Sequence, residues 1–261
     1  MITKLGTVIE NVPKVYASGY DTGHIHGYEL GKAEGESIYD TAFAEGKQAE
    51  YNIFWDNFQS NGSRTNYLNG FSGDGWNATT FKPKYSMNVS YGYQMFRNAR
   101  VNVDLVELCN SLGIEMTFGR NTDFTQTFQN CRFTRVGVID TTSASTLSST
   151  FATSYIKTID KLVLKAAGGQ TFSSTFNGAS GLEEITEIEG VFSNAVSFNV
   201  SPLNAKSLVN VVEHLSESAS GKSVTFLTSA VNNADWSTTN DASWEDLVAQ
   251  KKPSGWTISL V

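Results

Sequence analysis

Cysteine, histidine and clustered charge are all scarce in this chain, and each scarcity closes a class of function. The 261 residues include 2 cysteines, Cys109 and Cys131. That is too few for a disulfide framework or a thiolate metal cage, so the expectation is a buried, reduced pair. The 3 histidines, His24, His26 and His214, are too scattered to build a site. Two residues apart on a helix, His24 and His26 point to different sides, so no metal is expected. Charged residues make up 17% of the chain, the net charge is -7, and no Lys/Arg run occurs. A nucleic-acid partner needs a clustered basic face and is therefore not expected. No run approaches the roughly 18 apolar residues of a membrane span, so membrane insertion is not expected either. The N-terminus, Met1 to Gly6, lacks the basic and apolar regions of a secretory signal, which points to synthesis without export. The chain also has no Gly-x-Ser-x-Gly elbow, no phosphate-binding Gly-Lys-Thr loop and no Cys-x-x-Cys pair. Its conspicuous acids, Asp56, Asp74, Glu183 and Glu184, read as solvated surface. The expectation is a protein that is not an enzyme and carries no cofactor.

What the chain has is a repeat. Phe124 to Phe128, Leu147 to Phe151 and Phe172 to Phe176 each give an apolar residue, three small polar residues and a Phe. Further apolar positions follow at similar offsets: Phe133, Val136 and Val138; Ile156, Ile159 and Leu162; Leu182, Ile185 and Ile188. A period in the twenties is the pattern of a leucine-rich solenoid, whose single coil cannot bury its own apolar face. Each unit is expected to turn around its Phe, cross the core and add a short strand, such as Leu162 to Leu164, to a parallel sheet. The Thr/Ser-rich faces are expected to stay wet. The repeats begin near Met87, with Tyr93, Met95 and Phe96 in the first Phe slot. Later helices are expected over Val103 to Leu112, Ser207 to Leu215 and Ser243 to Gln250, the last with Ser243 as N-cap.

Ahead of the repeats, Gly19, Gly23, Gly27, Gly31 and Gly35 recur every fourth residue. On a helix such a Gly-xxx-Gly pattern forms one slowly winding seam. Glycine costs about 1 kcal/mol per residue against alanine, so this helix is expected to need a close-packed neighbour, making it an oligomerisation or docking segment. A flexible glycine-rich linker is the alternative. Next, Tyr51, Phe54, Trp55 and Phe58 have helical spacing, and this aromatic-rich stretch reads as a cap over the first coil. Its Trp55, Tyr67, Phe71 and Trp76 are candidates for stacking on sugar rings, with core packing as the alternative.

The rhythm from Phe172 to Ile185, Phe-x-x-(Thr/Ser)-Phe followed by spaced small and aliphatic residues, resembles the BspA-type leucine-rich repeats. The stretch from Ala49 through Trp55 to Tyr85 is similar to a module preceding such repeats in proteins of phages and prophages of gut Firmicutes. The resemblance covers residues 47–261. It implies an α/β leucine-rich-repeat solenoid over 89–261, a cap over 47–88 and an attachment segment over 1–46. It also implies a virion structural or adhesive protein of a tail, baseplate or head fibre. The expected partners are other virion proteins or itself, through the N-terminal segment, and a glycan or protein of the host surface. The alternatives are a bacterial cell-surface adhesin of the same repeat type and a glycan-degrading enzyme on a solenoid scaffold.

Overall fold

The structure of the protein is a computed structural model that describes residues 35–60, 63–73, 76 and 81–261. The chain divides after Phe58, and Gln59–Val261 forms a compact unit of its own. The first unit contributes one described helix, α1 (Gly35–Phe58). Its last turns gather the aromatics that the helical spacing picks out. Trp55 meets Tyr51 at 6.2 Å, Phe54 at 5.2 Å and Phe58 at 5.8 Å between ring centroids. Of the glycine seam, Gly35 opens α1; Gly19, Gly23, Gly27 and Gly31 lie outside the described residues, as do His24 and His26.

The unit Gln59–Val261 is mixed α/β with small parallel sheets, and its described residues form no closed barrel. Strand β1 (Met87–Asn88) pairs with β2 (Met116–Thr117). Strands β3 (Arg135–Asp140), β4 (Thr158–Val163) and β5 (Glu184–Glu189) form a second sheet in sequence order. The third contains β6 (Val196–Phe198), β7 (Lys222–Phe226) and β8 (Trp256–Leu260). The register of the central sheet follows from the apolar repeat. It aligns Val136 with Ile159 and Ile185, and Ile139 with Leu162 and Ile188. All of these are buried, so slipping the register by one residue would expose every one of them.

Between strands the chain returns through tight turns, and these carry a column of aromatic rings. Phe71, Phe96, Phe128, Phe151, Phe176, Phe198 and Phe226 stack in that order, with centroids 4.5 to 5.9 Å apart and interplanar angles of 2° to 27°. All seven rings are fully buried. An offset stack suits the aromatic quadrupole, and its spacing matches the roughly 4.8 Å between hydrogen-bonded strands. The stretch of chain around one ring is called a layer below.

The small polar residues before each Phe have two uses that periodicity does not reveal. The first is conformational: residues two before and two after the ring adopt left-handed backbone. Asn69, Gln94, Asn98, Gln126, Asn130, Ser149, Thr153 and Ser174 have φ of 51° to 62°, and Gly73 and Gly178 complete the series at 85° and 72°. These residues close successive turns, such as Thr127 N–H to Phe124 O and Cys131 N–H to Phe128 O. Alternate N–H groups are thereby turned outward to the next layer. Gln126, Phe128 and Asn130 donate to Ser148 O, Thr150 O and Ala152 O at 2.8 to 3.0 Å.

The second use corrects an expectation. The threonine before each ring is not wet: Thr127, Thr150 and Thr175 are buried. Their hydroxyls donate to carbonyls of the preceding layer, Thr127 to Gly92 O at 2.9 Å, Thr150 to Phe124 O at 3.0 Å and Thr175 to Leu147 O at 2.8 Å. A buried hydroxyl is tolerable because it is paired in this way.

Helices occupy the remaining connections. Helix α2 (Leu105–Leu112) is capped by Asp104, whose carboxylate accepts from Val106 N–H and Glu107 N–H, and ends at left-handed Gly113. Helix α3 (Ala205–Glu213) covers the edge of β5. Ile185 N–H donates to Ser207 Oγ, and the Asn210 amide donates to Ile185 O and Thr186 O. An open sheet edge is thus closed by side chains. Helix α4 (Thr228–Asn233) follows β7, and helix α5 (Trp244–Lys251) has Ser243 as its N-cap, as the sequence predicts. Trp244 ends the column by standing edge-on to Phe226, with centroids 5.4 Å apart.

Replacing Phe151 with Ala removes a ring from the middle of the column and leaves a cavity that the parallel ladder cannot close. The expected cost is about 3 to 5 kcal/mol, read from the shift in denaturant midpoint at constant slope. A near-neutral result would contradict burial of that ring.

Candidate functional site

Of the four aromatics singled out as ligand-facing, three are core residues. Tyr67 and Phe71 are buried, and Trp55 is 1% exposed, which leaves none of the three a face for a sugar ring. Phe71 begins the ring column, with Tyr67 stacked beside it at 5.8 Å. Trp76 is half-buried, its ring edge-on to Phe71 at 5.1 Å. Burial raises the Tyr67 hydroxyl above its ordinary pKa, against an opposing hydrogen bond with Gln59.

Other chemistry-bearing residues are dispersed. His214 holds the end of α3 by a 2.7 Å contact between Nδ1 and Asn210 O. Among the described residues no group of His, Cys, Asp and Glu could hold a metal ion. Glu183 lies 3.6 Å from Lys157, whereas Asp74 is outside the described residues. Lys161 on β4 bridges Glu187 at 2.7 Å and Glu189 at 2.9 Å, which raises its pKa and leaves the strand side predominantly acidic.

The turn side differs. Register places Arg132 beside Arg100, because Arg132 N–H donates to Ala99 O at 3.1 Å. Tyr155 comes next, its N–H donating to Cys131 O at 3.0 Å. One row therefore carries Arg100, Arg132 and Tyr155, all solvent-exposed. A parallel row carries Asn98 and Asn130, with the Asn130 amide donating to Asn98 Oδ1 at 3.0 Å. Gly73, Asn98, Arg100, Asn130 and Arg132 line a groove of about 530 Å³. Among the described residues, none comes within 4 Å of where a side chain at Gly73 would begin. The Arg132 guanidinium sits over the Tyr155 ring, 5.1 Å from its centroid, which restrains the side chain. One residue earlier in the same two layers, Arg97 Nε and Gln129 Oε1 are buried without a hydrogen-bond partner among the described residues. Guanidinium and amide groups donate hydrogen bonds to anions and hydroxyl oxygens, and that is the chemistry this groove offers.

The sequence does contain the signal for this groove. Phe96-Arg97-Asn98-Ala99-Arg100 and Phe128-Gln129-Asn130-Cys131-Arg132 repeat a Phe-x-Asn-small-Arg motif. Helix α2 lengthens the interval between the two copies beyond the period in the twenties that marks the other repeats.

A second groove of about 520 Å³ opens between α2 and strands β2 and β3, lined by Leu105, Val106, Met116 and Val138 among others. It lies where the parallel pairing is interrupted: among the described residues β2 and β3 belong to different sheets, and on this side β3 keeps an isolated bridge from Arg135 to Asp104. Cys109 borders it, and burial pushes this thiol up to about 11. Cys131, wholly within the core, is pushed up to about 12 by the same cause.

No protein family, curated protein or solved structure matches the chain. Among the described residues no helix is long and apolar enough to cross a membrane.

The thiol environments give a prediction with a definite sign. Their folded-state pKa values lie above the ordinary thiol value of 9.0, so above that pH the unfolded chain loses protons that the folded chain keeps. Stability should fall as pH rises from about 9 towards 11, and replacing both cysteines with alanine should flatten that fall. At pH 8 both thiols should resist a disulfide reagent until the protein unfolds; rapid native-state labelling of Cys131 would contradict the assignment.

Proposed function

We propose that this protein is a non-enzymatic virion component in which a BspA-type leucine-rich-repeat solenoid over 89–261 is displayed outward. In this reading it belongs to a tail, baseplate or head fibre. The observation that carries the repeat reading is the aromatic column, in which rings one period apart in sequence stack on one another while aliphatic residues one period apart share a parallel register. A single layer of this kind buries its ring only against its neighbours, which is the physical definition of a solenoid repeat. Such stacks offer extended surfaces of regularly spaced side chains, and these suit adhesion better than catalysis.

The adhesive part of the reading places the ligand on the turn side, where arginine, asparagine and tyrosine side chains recur layer by layer. The attachment part rests on Gly19, Gly23, Gly27, Gly31 and Gly35, whose spacing suits close approach to another virion protein or to a second copy. The resemblance to phage-encoded repeat proteins supplies the setting.

Mass spectrometry of gradient-purified particles from a producing culture tests this directly. The protein is expected to co-purify with the particles at a stoichiometry matching a symmetric structural part. Its recovery in the cell-wall fraction with none in particles would contradict the virion assignment and favour a cell-surface adhesin.

A further inference from the structure

We propose that β8 is a self-association edge, on which a second copy of this chain pairs its own β8 antiparallel across a two-fold axis at Ser259. The surface belongs to the unit Gln59–Val261 and is separate from the glycine-rich segment assigned to attachment.

Backbone direction defines the edge. Strand β8 is the last of its sheet, which runs in the order β6, β7, β8. Its register with β7 is unbroken from Lys222 opposite Trp256 to Phe226 opposite Leu260. At one end Gly255 O accepts from Lys222 N–H at 3.2 Å, and at the other Val261 N–H donates to Phe226 O at 3.1 Å. Residues of a parallel ladder alternate in the side to which they bond, so Thr257 and Ser259 also turn to β7 while Trp256, Ile258 and Leu260 turn away. Trp256 is served locally: its N–H donates to Pro253 O at 3.1 Å and its carbonyl accepts from Lys252 Nζ at 3.0 Å. Among the described residues no group bonds the outward N–H and C=O of Ile258 and Leu260.

The edges of β5 and β8 are finished differently. Side chains of α3, Ser207 and Asn210, close the edge of β5. Folded chains otherwise protect a strand edge with lysine, proline or a bulge, and β8 has none of these. Its side chains are uncharged from Trp256 to Leu260. In a chain of net charge -7, a neutral strand is where a second copy meets least repulsion. Leu260 stands opposite buried Phe226 in the ladder yet is 40% exposed, so the apolar interior reaches this edge without a cover.

A second copy fits the free groups one for one. With Ser259 opposite its counterpart, Ile258 of each copy faces Leu260 of the other, and each such pair exchanges two N–H to O=C bonds. Every outward group of Ile258 and Leu260 in both strands is then used. Each Ile258 also packs against a Leu260, an apolar cross-strand pair. Because the operation is a two-fold, the contact closes at a pair of chains and leaves no strand edge to grow from.

Sedimentation of the full-length protein at micromolar concentration tests this, with Ser259→Lys and Ser259→Asp as variants. Wild type is expected to be at least a dimer. Each variant alone should halve the mass, because like charges then meet at the axis, and an equimolar mixture of the two should restore it. Melting temperatures measured at high dilution should match wild type, which separates lost pairing from lost folding. Ser259→Cys should form a disulfide-linked dimer under mild oxidation, since the Cα atoms of such an opposed pair lie about 4.5 Å apart, within disulfide reach. Thr186→Cys on β5 should not, and the native Cys109 and Cys131 are buried. A monomeric wild type would overturn the proposal. So would a mass that survives both charge substitutions with no cross-link at position 259, a result that moves self-association to the glycine-rich segment.

Discussion

A benzene ring held 4.5 to 5.9 Å from the next limits how far each stretch of chain travels before it returns. That distance is close to the spacing of hydrogen-bonded strands, so a ring on the turn side and a strand on the opposite side rise together. Each ring contributes about 2 kcal/mol by leaving water, and parallel neighbours add about 0.5 to 1.5 kcal/mol. The chain between rings is free to vary in length provided that it returns to the column. Helix α2 is such an addition, inserted between Phe96 and Phe128 without breaking their stack at 5.5 Å.

The backbone of the turns follows from the same constraint. Closing the chain around a ring within a few residues requires left-handed residues on both sides of it, and Gln126, Asn130, Ser149 and Thr153 supply them. Asparagine reaches that conformation at low cost, while β-branched Thr153 is the most strained of the series. Outward N–H groups then bond the next layer, so the strain is offset by a ladder of backbone hydrogen bonds. Side chains at these positions necessarily project from the turn side in rows. The Asn98–Asn130 pair and the adjacent arginines are a consequence of that geometry as much as of any ligand.

Much of this was legible in the chain itself where the signal was local or repeated at nearly constant intervals. Phe128, Phe151 and Phe176 are placed as the spacing predicts, and Ser243 caps its helix as its position before an apolar run suggests. Phe71, a sugar-stacking candidate with core packing as its alternative, takes the core place, and Gly73 at a φ of 85° is the turn that lets its ring enter the column. Thr127, Thr150 and Thr175 were misread as wet because no pattern of polarity shows that a carbonyl waits in the layer before. The pairing of Arg100 with Arg132 escaped because α2 stretches one interval, and only alignment on the phenylalanines restores it.

The central claim is that neighbouring rings stabilise one another directly, and a double-mutant cycle on Phe128 and Phe151 measures that most directly. With each changed to Leu, singly and together, the account predicts a coupling of about 0.5 to 1.5 kcal/mol for this pair. It predicts additivity for Phe71 and Phe226, at opposite ends of the column. Zero coupling between Phe128 and Phe151 would contradict it.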